Sequence, residues 1–99
     1  MVSVQLDKIR SFRYGMKALS RIEGLLGVPV SKLDFDNLTQ LHLATIICCG
    51  FMHEDPDLTP DKVMDLIDEH SSLVEITAAM GQAFTEAFGT KTGKGEKGK

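Results

Sequence analysis

From residue 43 to residue 52 the chain carries no charged side chain, and it is apolar or small at nearly every position. At helical spacing Leu38, Leu41, Thr45, Cys48 and Met52 form one stripe, and Leu43, Ile46, Ile47 and Gly50 form another. A helix apolar on all sides has no face to offer water, so it sits at the centre of a core or is shared with a neighbouring subunit. That requirement organises the rest of the chain, which must supply amphipathic elements to surround it. With 99 residues there is room for one such core. A domain of this size buries roughly 60–65% of its unfolded surface, so the core is thin.

The flanking segments fit. Met16, Leu19, Ile22 and Leu26 recur at helical spacing, Gly27 supplies a stop and Pro29 follows, which predicts a first helix over 14–26. Asp36 or Asn37 is placed to cap the second, apolar helix. Thr59 and Pro60 open a third with a hydroxyl cap and a proline whose missing N–H costs nothing there. Val63, Leu66 and Ile67 are its inward residues. Ser72 and Glu75 form a capping box for a fourth helix that runs to about residue 88 and stops at Gly89. Ala79, Ala83 and Ala87 along it permit close approach of a neighbour. Residues 1–12 are ambiguous: Val2, Val4 and Leu6 alternate with polar residues, as a short strand or an extended arm would. The expected fold class is all-α, a small bundle of about four helices over residues 1–89. A disordered Gly/Lys tail over 90–99 is expected, because Thr, Lys, Gly and Glu alone bury nothing.

Charge is distributed unevenly behind a net of −3. Residues 1–33 carry six basic and two acidic side chains, residues 34–89 one basic and eleven acidic, and residues 90–99 four lysines and one glutamate. Arg13, Lys17 and Arg21 form a basic ridge at four-residue spacing, and Asp61, Asp65 and Asp68, with Glu69, form an acidic one. Each ridge taken alone is a solvated face. Taken together they suit head-to-tail pairing between copies, which makes rings or open helical assemblies.

Catalytic and metal-binding patterns do not emerge. His42 and His53 stand eleven apart, His70 follows a helix later, and neither H-E-x-x-H nor C-x-x-C occurs. Cys48 and Cys49 are adjacent, so a disulfide between them would be strained, and they read as small buried residues of a reducing compartment. The acidic run beginning at Asp55 resembles a calcium loop, but Pro60 and Leu66 stand where that loop needs glycine and glutamate. Gly93, Gly95 and Gly98 precede no element that could build a phosphate nest. A lysine tail can touch nucleic acid or an acidic protein, although a solvated tail is its default reading. No run approaches the roughly 20 apolar residues of a membrane span, and no secretory signal pattern opens the chain. These observations predict a non-enzyme with no cofactor and no metal, acting on neither nucleic acid nor membrane.

The order of residues resembles a known family. Phe12 to Leu19 with Glu23 and Gly27 comes first, then an apolar helix ending in Gly50, Phe51 and Met52. The connector His53-Glu54-Asp55-Pro56-Asp57-Leu58-Thr59 follows, then Val63 to Asp68, then Ala83 to Gly89. Over residues 10–89 this pattern is similar to the tail assembly chaperones of long-tailed phages and prophages, most specifically at His53, Glu54, Asp55 and Pro56. Where relatives often carry a tryptophan or other bulky residue just before this motif, this chain has Cys48, Cys49 and Gly50.

The resemblance implies an all-helical chaperone of the host cell cytoplasm. It would multimerise, coat the tape-measure protein and help tail-tube subunits assemble around it. A longer, frameshifted form is common in the family. Apolar residues Ile76, Met80, Phe84 and Phe88, with Ile47 and Phe51, are the expected partner surface, the alternative being that they fill the monomer core. The competing function is a small helical adaptor or regulator that binds one protein partner without polymerising.

Overall fold

The computed structural model describes residues 2–34 and 37–92, with side chains through residue 87. It is mostly helical, and the expectation of an all-α chain is corrected at the N-terminus. Strands β1 (Val2–Gln5) and β2 (Ile9–Phe12) form an antiparallel hairpin. Helices α1 (Met16–Leu26), α2 (Gln40–Phe51), α3 (Pro60–His70) and α4 (Leu73–Thr92) follow, with a short 3-10 turn at Val30–Lys32.

The hairpin realises the alternation read at residues 2–6. Its register pairs Val2 with Phe12, Ser3 with Ser11, Val4 with Arg10 and Gln5 with Ile9. Val2, Leu6 and Phe12 are buried on one face, while Ser3, Gln5 and Ile9 lie exposed on the other. The buried face lies against the rest of the fold, with β1 on α4 and β2 on α2. Two short strands are marginal alone, and this packing supplies the stability they lack.

Helix α1 starts at Met16, two residues later than its periodicity suggested, because Arg13 and Tyr14 are used as an extended strut. The Arg13 N–H donates to the Gly50 carbonyl at 2.8 Å. The Tyr14 hydroxyl donates to the Ile46 carbonyl at 2.8 Å, and burial pushes its phenol well above the ordinary value. Gly27 ends the helix in the left-handed conformation, φ 77°, with its N–H on the Glu23 carbonyl.

Helix α2 is the hub that its charge-free run demanded. Ala44, Thr45, Ile46, Ile47, Cys49, Gly50 and Phe51 are all buried, and α1, α3 and β2 pack around it. Its cap is Thr39, whose hydroxyl accepts the His42 N–H at 3.1 Å. Asn37, one of the two caps expected, instead bonds Asp34 through its side-chain amide; Asp36 lies outside the described residues. Gly50 allows a close approach: a Cβ there would stand 2.7 Å from Phe12 Cδ1 and from the Tyr14 hydroxyl oxygen. Around that point Phe12 stacks on Phe51, ring centroids 4.6 Å apart, and Tyr14 on Phe84 at 4.2 Å.

Thr59 caps α3 by accepting the Lys62 N–H, Pro60 occupies the first turn, and Val63, Leu66 and Ile67 are buried as their spacing required. The Ser72 hydroxyl accepts the Glu75 N–H at 3.2 Å, but the Glu75 carboxylate takes the Ser71 hydroxyl rather than closing the capping box. Helix α4 continues through Gly89 to Thr92, past the stop expected for it. Glycine ends a helix where it turns left-handed; held in helical conformation it costs only about 1 kcal/mol. The remainder of the expected tail, from residue 93, lies outside the described residues.

Candidate functional site

The connector between α2 and α3 carries the residues of the family-like motif, and their geometry is a clasp on the hairpin. Two tight turns off the end of α2, in which the Glu54 and Asp55 N–H groups both bond the Phe51 carbonyl, present three successive side chains to β2. The Glu54 carboxylate accepts the Ser11 N–H at 3.2 Å. His53 Nε2 lies 2.8 Å from the Ser11 carbonyl oxygen; a carbonyl only accepts, so Nε2 carries the proton there. Both main-chain groups of one strand residue are thus satisfied by side chains 42 and 43 positions away.

Asp55 completes the clasp from beneath. Arg10 points inward and is only 3% exposed. It donates through Nε and Nη2 to the two oxygens of Asp7 at 2.9 and 3.0 Å, and its Nη1 lies 3.6 Å from an Asp55 oxygen. The bidentate bond to Arg10 holds the Asp7 carboxyl below its ordinary range. The guanidinium also sits 6.0 Å from the Phe51 ring centroid, a cation–π arrangement that suits a desolvated arginine. Pro56 is exposed at the turn that leads into α3.

Beside the clasp runs a surface groove bounded by α1 and the connector. Its first part, about 430 Å³, is lined by Arg13, Gly15, Met16, Lys17, Met52 and His53. Its second, about 210 Å³, lies between Arg21 and Leu25 on one wall and Pro56, Leu58 and Pro60 on the other, over Thr45, Cys48 and Met52. Met52 belongs to both. The floor is apolar and sulfur-rich, and Arg13, Lys17 and Arg21 stand exposed along the edge. Met16 is 88% exposed and Leu25 60%. Cys48 donates its thiol to the Leu58 carbonyl at 3.1 Å. Burial raises the Cys48 thiol and pushes that of Cys49 up to about 11, so neither is a nucleophile near neutral pH.

The connector itself carries Glu54, Asp55 and Asp57, and a second acidic group lies on α3. Asp61, Asp65, Asp68 and Glu69 are exposed on α3. Where α3 turns into α4, Leu73 is 48% and Val74 79% exposed. Leu73 and Asp68 border a shallow depression of about 230 Å³ over Gln40 and Leu43.

The sequence-derived sites divide on this map. Ile47, Phe51 and Ile76 have no exposed surface, and Met80 and Phe84 are 3% and 6% exposed. As partner-binding residues they are corrected: all five build the monomer core, because α4 turns its larger apolar side chains onto the hairpin and the Phe12–Tyr14–Phe51 stack. The side chain of Phe88 lies outside the described residues. Lys17 and Arg21 do project from one face of α1, but Arg13 precedes the helix and joins them only at the groove. Met16, counted by period with the core stripe of α1, is the first helical residue and points outward. Arg10, Asp7 and Ser11 escaped notice, although pairing Val4 with Arg10 follows once the hairpin is drawn.

Among the described residues no three His, Cys, Asp or Glu side chains gather as metal ligands would, and no helix is long and apolar enough to cross a membrane. No known protein family, curated protein or solved structure matches the chain.

Proposed function

We propose that this protein is a tail assembly chaperone of the long-tailed phage type. It works in the host cytoplasm, multimerises, holds the tape-measure protein in soluble form and promotes tail-tube assembly around it. The observation that carries this reading is the groove along α1. Helix-in-groove recognition needs exposed apolar surface in a groove, and here an amphipathic helix would lay its apolar side on Met16, Met52 and Leu25. Helix α1 has 11 residues and so offers about 16 Å, three turns of a partner helix. Resemblance of the 53–59 connector to the family motif supports the same assignment. The clasp gives that motif a structural task, fixing the connector wall of the groove against the hairpin.

Coexpression with the tape-measure protein of the same tail operon tests the reading. The expected result is that the partner becomes soluble and copurifies, and that Met16→Glu with Leu25→Glu abolishes both while the chain stays folded. A partner equally insoluble with and without this chain overturns it. A soluble complex of one copy with one partner, from a chain monomeric at every concentration, would assign the protein to the single-partner adaptors instead.

A further inference from the structure

We propose that the outer edge of β1 binds an extended segment of a partner protein, which joins the hairpin as a third strand. Ser11 turns its N–H and its C=O away from β1, toward the clasp residues Glu54 and His53. Residues directly opposite each other in an antiparallel ladder both turn these groups inward or both turn them outward. Ser3, opposite Ser11, therefore turns its own N–H and C=O away from β2, and Gln5, one pleat further along, does the same. Among the described residues nothing hydrogen-bonds those main-chain groups, and both residues are exposed. The two edges of the sheet are thus treated oppositely. Along β2, Ser11 is closed by the clasp, and beyond it the Arg13 N–H is closed by the Gly50 carbonyl. β1 carries no charge, proline or bulge, the devices by which sheets ordinarily keep other strands off an edge.

A row of open main-chain donors and acceptors at strand spacing is complementary to another extended backbone. The edge is also held rigid before anything arrives. The clasp fixes β2 at Ser11, the bidentate Arg10–Asp7 bond fixes the turn, and Val2 and Leu6 anchor β1 in the core. Only the incoming strand has to be ordered on binding. Side chains set the preference. Val4 lies on the inner face and is only half-buried, so the residue beside it in the added strand is apolar. The residues beside exposed Ser3 and Gln5 face water and are polar. The fitting ligand is a short segment of alternating apolar and polar residues without proline. This edge lies across the hairpin from the clasp and shares no residue with the groove along α1, so it holds or falls independently of the function proposed above.

A soluble peptide of alternating valine and threonine between terminal lysines, about nine residues long, is the probe, and amide hydrogen exchange of the full chain is the readout. The peptide is expected to bind with a dissociation constant below about 1 mM. It should slow exchange at Ser3 and Gln5 about tenfold or more and leave the amides of α1 unchanged. The same peptide with its central amides N-methylated keeps the side chains and lacks the main-chain donors, and should bind about tenfold more weakly or worse. That comparison needs no variant to fold. Ser3→Pro removes an N–H that the hairpin does not use, at an edge where proline is tolerated. It should weaken binding to the same degree while the circular dichroism spectrum stays unchanged. A peptide that leaves Ser3 and Gln5 exchanging at their free rates up to about 1 mM overturns the proposal. So does a methylated peptide that binds as well as the plain one, or a folded Ser3→Pro chain that binds unchanged. Slowing at these two amides in concentrated protein without peptide would give the edge to β1 of a second copy and overturn it as well.

Discussion

The hydroxyl of Tyr14 donates to the carbonyl oxygen of Ile46 at 2.8 Å, tying the strut before α1 to the middle of α2 across 32 positions. That carbonyl sits one helical turn before Gly50, the position whose missing side chain lets the ring of Tyr14 come so close. Gly50→Ala should therefore destabilise the protein by about 2 kcal/mol, since overpacking outweighs alanine's better helix propensity. Tyr14→Phe should cost about 1 kcal/mol, the usual net worth of one such bond. Urea unfolding of the two variants measures both. A Gly50→Ala chain as stable as wild type would show that the Phe12–Tyr14 stack yields.

A second expectation concerns acid. Asp7 is held below its ordinary value by Arg10. The native state then binds fewer protons than the unfolded chain when pH falls below the ordinary carboxylate value. The contribution of Asp7 to stability is complete above about pH 5 and is lost below about pH 4, as pH drops through the depressed native value. Asp7→Asn should be less stable than wild type at neutral pH, with the gap closing in that acid window. Thermal unfolding of both proteins across the pH range reads it directly. A gap that stays constant down to the most acid samples would mean that Asp7 contributes shape and not charge.

The thiols give a third. With Cys49 pushed up to about 11, its thiolate fraction at pH 8 is about one in a thousand. Native protein should react slowly with a thiol reagent at pH 8, and denaturant should release both cysteines to react at the ordinary rate. Fast native labelling of Cys49 would show that α2 opens locally on the time scale of the reagent.

The helical frame was legible because its signals are local. The uncharged run at 43–52 demanded a buried helix, and Gly27, Thr59-Pro60 and Ser72 mark ends by backbone chemistry that depends on no neighbour. The N-terminal hairpin was half legible: Val2, Val4 and Leu6 alternate, but only pairing with 9–12 turns alternation into a sheet. The site was the least legible part. Period alone puts Met16 in a core stripe and leaves Phe84 free for a partner. The reverse holds because α1 begins two residues late and the hairpin claims the apolar side of α4. Nor does the order of residues reveal that His53 and Glu54 hold Ser11, since that contact exists only after α2 has brought its end beside β2.

The hairpin also dictates when this chain can finish folding during synthesis. β1, the first described strand, packs on α4, the last described helix, and β2 waits for the clasp residues some forty positions later. On the ribosome, Val2, Leu6 and Phe12 can pair as a hairpin at once, yet their apolar face has no cover until the stretch through Phe84 has emerged. Until then an uncovered strand pair is open to other nascent chains. That interval is the moment of greatest exposure to misassembly.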